Sequence, residues 1–416
     1  MKKFAKMSLV AALAVAGTTA SAQPLTEAIK NVDVSGSVVY RYDDYSSDKN
    51  YKDGVDEKDN NKYKIGLTAK AKVNDDVTAI TRFIIGSDTS SGDFASLNHS
   101  SGGDGDHSDE NVDVKLSQVY FSYTGIKNTT VNVGKQGLTT PWTVAIDIDG
   151  QEQTGTGILA LSNLGPVTVA AAYFNQTNLD LNDAKINGNG YEDVDVKDVI
   201  DGAEDIVTIG LLGSIGPVAL DAWYLDMDEV FDTYTVGADA KFNIDAVKLN
   251  LGARYTYLDL DDEITDALTA LDNDNSLAKV YAGINIGIFG AKVAYAWTDE
   301  DGGLVALDND SSKTNLHGWN LTANGYADAT FLKSSVDAQV LDSLNISLNY
   351  NQLEVDDKDI RDGGDFTDTE YYLQATYKMS KNFGGYIRFG EMEKENIDDG
   401  KDRDTTIGRL QIQYTF

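Results

Sequence analysis

From Tyr63 to Val73 the chain alternates. Tyr63, Ile65, Leu67, Ala69, Ala71 and Val73 fall on one side; Lys64, Thr68, Lys70 and Lys72 fall on the other. A period of two places successive side chains on opposite faces of a β-strand, so this segment presents one apolar and one polar face. The pattern recurs to the end of the chain. Val32, Val34, Gly36, Val38, Tyr40 and Tyr42 oppose Asp33, Ser35, Ser37, Arg41 and Asp43, with Val39 the exception. Leu249, Leu251, Ala253, Tyr255 and Tyr257 oppose Lys248, Asn250, Arg254 and Thr256, and Leu410, Ile412, Tyr414 and Phe416 oppose Arg409, Gln411, Gln413 and Thr415. There are about eighteen such segments of roughly ten residues, the length a tilted strand needs to cross a bilayer. The least marked is the fourteenth, within 327–340.

The connections alternate as regularly as the strands. Tight turns are predicted at Asn74–Asp76, Gly125–Thr129, Gly165–Pro166, Ser214–Pro217, Asn243–Asp245 and Ser380–Asn382. Between them lie long acidic loops, among them 175–204, 259–275, 298–326, 354–368 and 393–403. An even strand count with short turns at one end and long loops at the other predicts an all-β, transmembrane antiparallel β-barrel of about 18 strands. Closure removes the open sheet edge that lipid does not tolerate.

Targeting and charge agree with this reading. Lys2, Lys3 and Lys6 precede an apolar run, Met7–Gly17, and Ala20-Ser21-Ala22 is a small-residue cleavage site. Residues 1–22 are therefore read as a secretory signal peptide and 23–416 as the barrel. Later segments contain no run of eighteen apolar residues, so no membrane-spanning helix is expected. The chain has no cysteine, which excludes a disulfide framework. Its formal charge is −33, or −36 without the three leader lysines. That balance excludes nucleic acid as a partner, since phosphate binding needs clustered Lys and Arg. It suits cations, or divalent ions bridging to the anionic lipid and lipopolysaccharide of an outer membrane.

One loop differs from the others. Between strands five and six, Gly137–Thr156 gathers Pro141, Trp142, Val144, Ala145, Ile146 and Ile148 around Asp147, Asp149 and Glu152. A loop standing in water has no use for so many apolar side chains, whereas one folded against the inside of a barrel does. It is expected to be the constriction of a pore.

Several segments resemble the major outer membrane porins of Campylobacter and related epsilon-proteobacteria: Pro24–Lys30 running into Asn31–Gly36 and Tyr40–Asp43, then Gly134-Lys135-Gln136, Trp142-Thr143, Ala145-Ile146-Asp147, Asp149-Gly150 and Thr154–Gly157. The resemblance implies a trimeric general diffusion porin that passes ions and small hydrophilic solutes, with the third outer loop narrowing the pore. Pro141 and the run 148–152 depart from the family pattern, and either Asp147 or Asp149 takes the place of the family's loop carboxylate. The acidic side of the constriction would then be Asp147, Asp149 and Glu152. The basic wall would come from Arg41, Arg82, Lys115, Arg254, Arg388 and Arg409. Fixed charges in a narrow lumen set ion preference, and here weak cation selectivity is expected.

No cofactor is required for such a channel. Asp147-Ile148-Asp149-Gly150 is weakly similar to the start of an EF-hand, without its third ligand or its Glu at position twelve, so Ca²⁺ at Asp147 and Asp149 is a further candidate. His99 and His107 sit among Asp104, Asp106 and Asp109, an arrangement open to a metal and equally to a merely soluble loop. The alternatives to a porin are a structural or adhesive barrel and an outer-membrane hydrolase. An enzyme is not expected, because none of His99, His107 and His317 accompanies a strand-end nucleophile.

Overall fold

A computed structural model describes residues 32–47, 57–86, 94–97, 114–181, 185–186, 194–195, 199–267, 272–308, 311–356, 361, 364–398 and 401–416. The leader and both His99 and His107 lie outside these residues. Eighteen long strands form the wall. They are β1 Val32–Ser47, β2 Glu57–Lys72, β3 Val77–Ile85, β4 Val114–Ile126, β5 Thr129–Gly137, β6 Thr154–Leu164, β7 Val167–Thr177, β8 Ile206–Ile215 and β9 Val218–Met227. The second half comprises β10 Phe231–Ile244, β11 Val247–Leu260, β12 Asp274–Ile286, β13 Phe289–Thr298, β14 Ala329–Leu341, β15 Leu344–Val355, β16 Phe366–Lys378, β17 Phe383–Asp398 and β18 Lys401–Thr415.

Each strand pairs antiparallel with the next, and β18 returns to β1, from Ser37 opposite Thr415 to Ser47 opposite Thr405. The sheet is thus a closed barrel. The terminal residue completes the seam: Phe416 and Gly36 exchange two backbone hydrogen bonds of 2.9 and 3.0 Å, and the Phe416 ring stacks on Tyr414. The predicted turns appear where expected, and the faint fourteenth strand is Ala329–Leu341.

Alternation sorts the faces. On β1, Val34, Val38 and Tyr40 are exposed to the outside, whereas Ser37, Arg41 and Asp43 are buried on the other face together with the exceptional Val39. Outward aromatic side chains such as Tyr40, Tyr224, Tyr255, Trp297 and Tyr371 suit the membrane interfaces. The inner face is polar along much of its length but not at the loop-side end. There Leu225, Met227, Phe231, Leu258, Leu277, Phe331 and Leu353 are buried as well. At these strand ends the inner face is apolar while the outer face carries Asp226, Asp232, Asp259 and Glu354, and two hydrophobic clusters form where loop residues cover the inner side.

Candidate functional site

The first of these loops is Leu138–Gln153, between β5 and β6. It closes on itself: Leu138 donates to the Gln153 carbonyl (2.9 Å), Gln153 N–H donates to Val144 O (2.9 Å) and Thr143 Oγ1 donates to Leu138 O (2.6 Å). Trp142 is 1% exposed and belongs with Leu138 to the larger hydrophobic cluster, whereas Val144, Ala145 and Ile148 are half-buried and Ile146 is exposed, so only part of the apolar content read from the sequence is packed away.

The polar face of β1–β4 and β18 holds the acidic half of this loop. Arg82 of β3 donates through Nε to Glu152 Oε2 (2.8 Å) and through Nη2 to Oε1, and Ser117 Oγ donates to the same carboxylate (3.1 Å). The Arg82 and Glu152 side chains are 5% and 0% exposed. Arg41 of β1 pairs with Asp149 at 2.7 Å, and Gln411 Nε2 of β18 donates to the same oxygen at 2.8 Å. Lys64 of β2 donates to the backbone carbonyls of Asp147 (2.7 Å) and Gly150. Asp147 itself turns inward. Its Oδ1 accepts from Asp149 N–H (2.7 Å) while Oδ2 is buried without a partner. Burial pushes the Asp147 carboxyl up from the usual range, against the lowering effects of its backbone hydrogen bonds and of Lys64.

Two local features of the wall make these contacts possible. On β4 the register slips by one residue, so that Arg82 faces Gln118 while Phe83 faces Leu116. This β-bulge lets two consecutive side chains serve the loop, Ser117 at Glu152 and Gln118 at Ala145 O (3.2 Å). On β2, Gly66 leaves room for a guanidinium: a Cβ there would stand 2.5 Å from Arg82 Nη2.

The sequence matches the Campylobacter major outer membrane protein family over residues 1–416. The chain belongs to this family. It is therefore an outer-membrane β-barrel of the porin type. No curated protein matches it. Its fold is similar to a BenF-like porin from Pseudomonas fluorescens (13% identity, TM-score 0.70, covering 93% of this chain and 99% of that one). It is also similar to Pseudomonas aeruginosa OccK9 (OpdG) (14%, 0.69, 94% and 100%) and to Pseudomonas aeruginosa OpdK with vanillate (14%, 0.66, 92% and 98%).

Not every basic residue that the sequence placed on the wall of this Campylobacter-type barrel meets the loop. Lys115 is half-buried on β4. Arg254 of β11 is engaged by Asp221, with both carboxylate oxygens within 2.9 Å. Arg409 pairs with Asp43, which also meets Lys62 at 3.4 Å. Arg388 donates to Gln374 and lies 4.4 Å from the Tyr386 ring centroid. Arg388 and Arg409 also lie within 5.5 Å of the Trp319 ring, which belongs to a second loop. That loop, 299–328, falls on the long acidic connection expected at 298–326. It carries Leu304, Val305, Ala306 and Leu307, all buried, and is held by the wall: Lys279 donates to Asn315 O (2.6 Å), Lys333 to His317 O (2.7 Å), and Glu370 accepts from the Trp319 and Asn320 N–H groups. Desolvation, with Lys333 as the next cause, pushes the His317 imidazole down to about 3, so it is neutral at physiological pH.

Proposed function

We propose that this chain is a general diffusion porin, a water-filled channel for ions and small hydrophilic solutes that the loop Leu138–Gln153 narrows. The observation that carries the reading is the row of cations on the polar face of the barrel, Arg41, Lys64 and Arg82, each bonded to that loop. A closed barrel with an apolar outer face has its polar face toward the lumen, so a loop tied to that face lies across the channel.

The channel is weakly cation-selective in this reading. Arg41 and Arg82 pair with Asp149 and Glu152, and Lys64 stands close to Asp147 while bonding to its backbone carbonyl, so charges at the narrow point largely cancel and leave a modest field. Glu152 serves as an anchor, being enclosed. Asp149, whose side chain is 52% exposed, is the loop acid in contact with water. The formal charge of −33 biases the approach toward cations. A homotrimer follows from the family resemblance and from the preference of membrane homo-oligomers for closed symmetry. Calcium is a secondary proposal. Asp147 Oδ2 is an oxygen without a partner, but Asp149 Oδ1 is already engaged by Arg41 and Gln411, which is thin provision for an ion that takes six to eight oxygens.

Planar-bilayer recording in a salt gradient tests the proposal. Stepwise conductance with a cation-side reversal potential supports it, and Asp149→Asn should move that potential toward zero. Folded, inserted protein that passes no current would sink the open-pore reading and leave a structural or adhesive barrel.

A further inference from the structure

We infer that the loop 299–328 is the positioning element of the constriction, and that the two loops open and close as one unit. This rests on the porin reading above. Three polar contacts join them: Leu307 N–H donates to Trp142 O (3.0 Å), Lys313 N–H donates to Pro141 O (2.8 Å) and Gln153 Nε2 donates to Leu307 O. Gln153 is the hinge of this seam, because its Oε1 also accepts from Val144 N–H (2.8 Å) and so ties the base of the first loop to the second. Around these bonds Leu304 and Leu307 pack in one cluster with Leu138 and Trp142.

The second loop is stiffened before it reaches the seam. Asn324 Oδ1 accepts from Val305 and Ala306 N–H (2.8 and 2.9 Å), while Lys279, Lys333 and Glu370 fix the stretch 315–320 to β12, β14 and β16. The first loop is thus held from two arcs of the wall. Arg41, Lys64 and Arg82 grip its acidic side directly, and β12–β16 hold its Trp142 side through the second loop. A packed seam of this kind is bistable rather than continuously deformable. Residues far from Asp147–Glu152 therefore set where those acids stand.

The test uses a variant that is uncharged and lies outside the acidic stretch. Leu307→Ala removes the buried side chain nearest the shared bonds. The expected result is a higher single-channel conductance than wild type, with loss of the wild-type reversal potential in a salt gradient. A purely structural role would lower thermal stability and leave the reversal potential in place. The absence of cysteine from the chain permits a second measurement that does not depend on that variant folding. In Pro141→Cys/Lys313→Cys, the 2.8 Å backbone bond sets the two positions side by side, and a disulfide spans Cα atoms about 4.4–6.8 Å apart. Oxidation should crosslink the pair fully and suppress gating fluctuations, and reduction should restore them with the charge unchanged. A folded Leu307→Ala with wild-type conductance and potential, or a cysteine pair that does not crosslink, overturns the inference. Failure of wild-type protein to conduct at all would overturn the porin reading instead.

Discussion

Replacing Arg82 by Met should destabilise the protein by about 3–5 kcal/mol, the cost of leaving one member of a buried ion pair without its partner. The size of the effect depends on whether Glu152 can escape. Its carboxylate is fully enclosed and would retain only the Ser117 hydroxyl. Its backbone is clamped: Asn178 Nδ2 donates to Glu152 O (2.8 Å), and Asn178 Oδ1 accepts from the neighbouring Thr154 N–H (2.7 Å). With the backbone held, the enclosed carboxylate has only side-chain rotation to reach water, so most of the penalty falls on the folded state. Replacing both partners, Arg82→Met/Glu152→Leu, leaves no buried charge and should recover most of the loss. The coupling energy across this double-mutant cycle is expected at about 2–3 kcal/mol. Equilibrium urea unfolding of the four proteins in lipid measures it. Additive single-mutant costs, or an Arg82→Met penalty below about 1 kcal/mol, would refute the claim that this pair anchors the loop.

Three further outcomes are expected. Gly66→Ala places a Cβ 2.5 Å from Arg82 Nη2 and should displace the guanidinium from Glu152, giving a smaller loss of the same sign and lowering the coupling energy of the cycle above. Lys64→Met frees the carbonyls of Asp147 and Gly150 and should speed proteolytic cleavage within 147–150 while strand protection stays unchanged. His317 sits well below its ordinary value of 6.5, at about 3. Between those values the unfolded chain binds a proton that the folded chain does not, so this group's contribution to stability is present above pH 6.5 and is lost as pH falls toward 3. Melting temperatures measured across that window should fall less steeply in His317→Asn than in wild type.

The barrel was legible because its physics repeats. Every strand must turn an apolar face to lipid and a polar face to water, so the period of two in Tyr63–Val73 or Leu410–Phe416 carries the fold by itself. In the loop Leu138–Gln153 the burial of Trp142 was legible for a related reason, since a large apolar side chain needs a surface to pack on, while Ile146 stays exposed. The same signal was present in 299–328, where Leu304-Val305-Ala306-Leu307 interrupts an acidic stretch, but the flanking aspartates and glycines outweighed it. A second clue lay in the wall, where Phe231, Leu258, Phe331 and Leu353 put apolar groups on the face that alternation assigns to water. Apolar groups on the lumen side of a strand end require a cover, and no residue near them in sequence identifies which loop supplies it.

Individual roles at the site were harder to read, because a charged residue shows its sign in the sequence but not its partner. Arg82 and Arg254 look alike on inward positions, yet one meets a loop carboxylate and the other meets Asp221 on the wall. Lys64 shares the polar face of β2 with Lys62, Lys70 and Lys72. Its contacts with Asp147 and Gly150 involve backbone carbonyls, which every residue carries, so no composition rule distinguishes it from Lys70 or Lys72. The bulge at Ser117 is equally silent: Ser117-Gln118 reads as ordinary alternation until the slip in register turns both side chains inward. What decides the chemistry of the loop is therefore the register of β2–β4 against one another. A one-residue change there would reverse which side chains face the loop, which is why the bulge and Gly66 matter as much to the site as the charges they position.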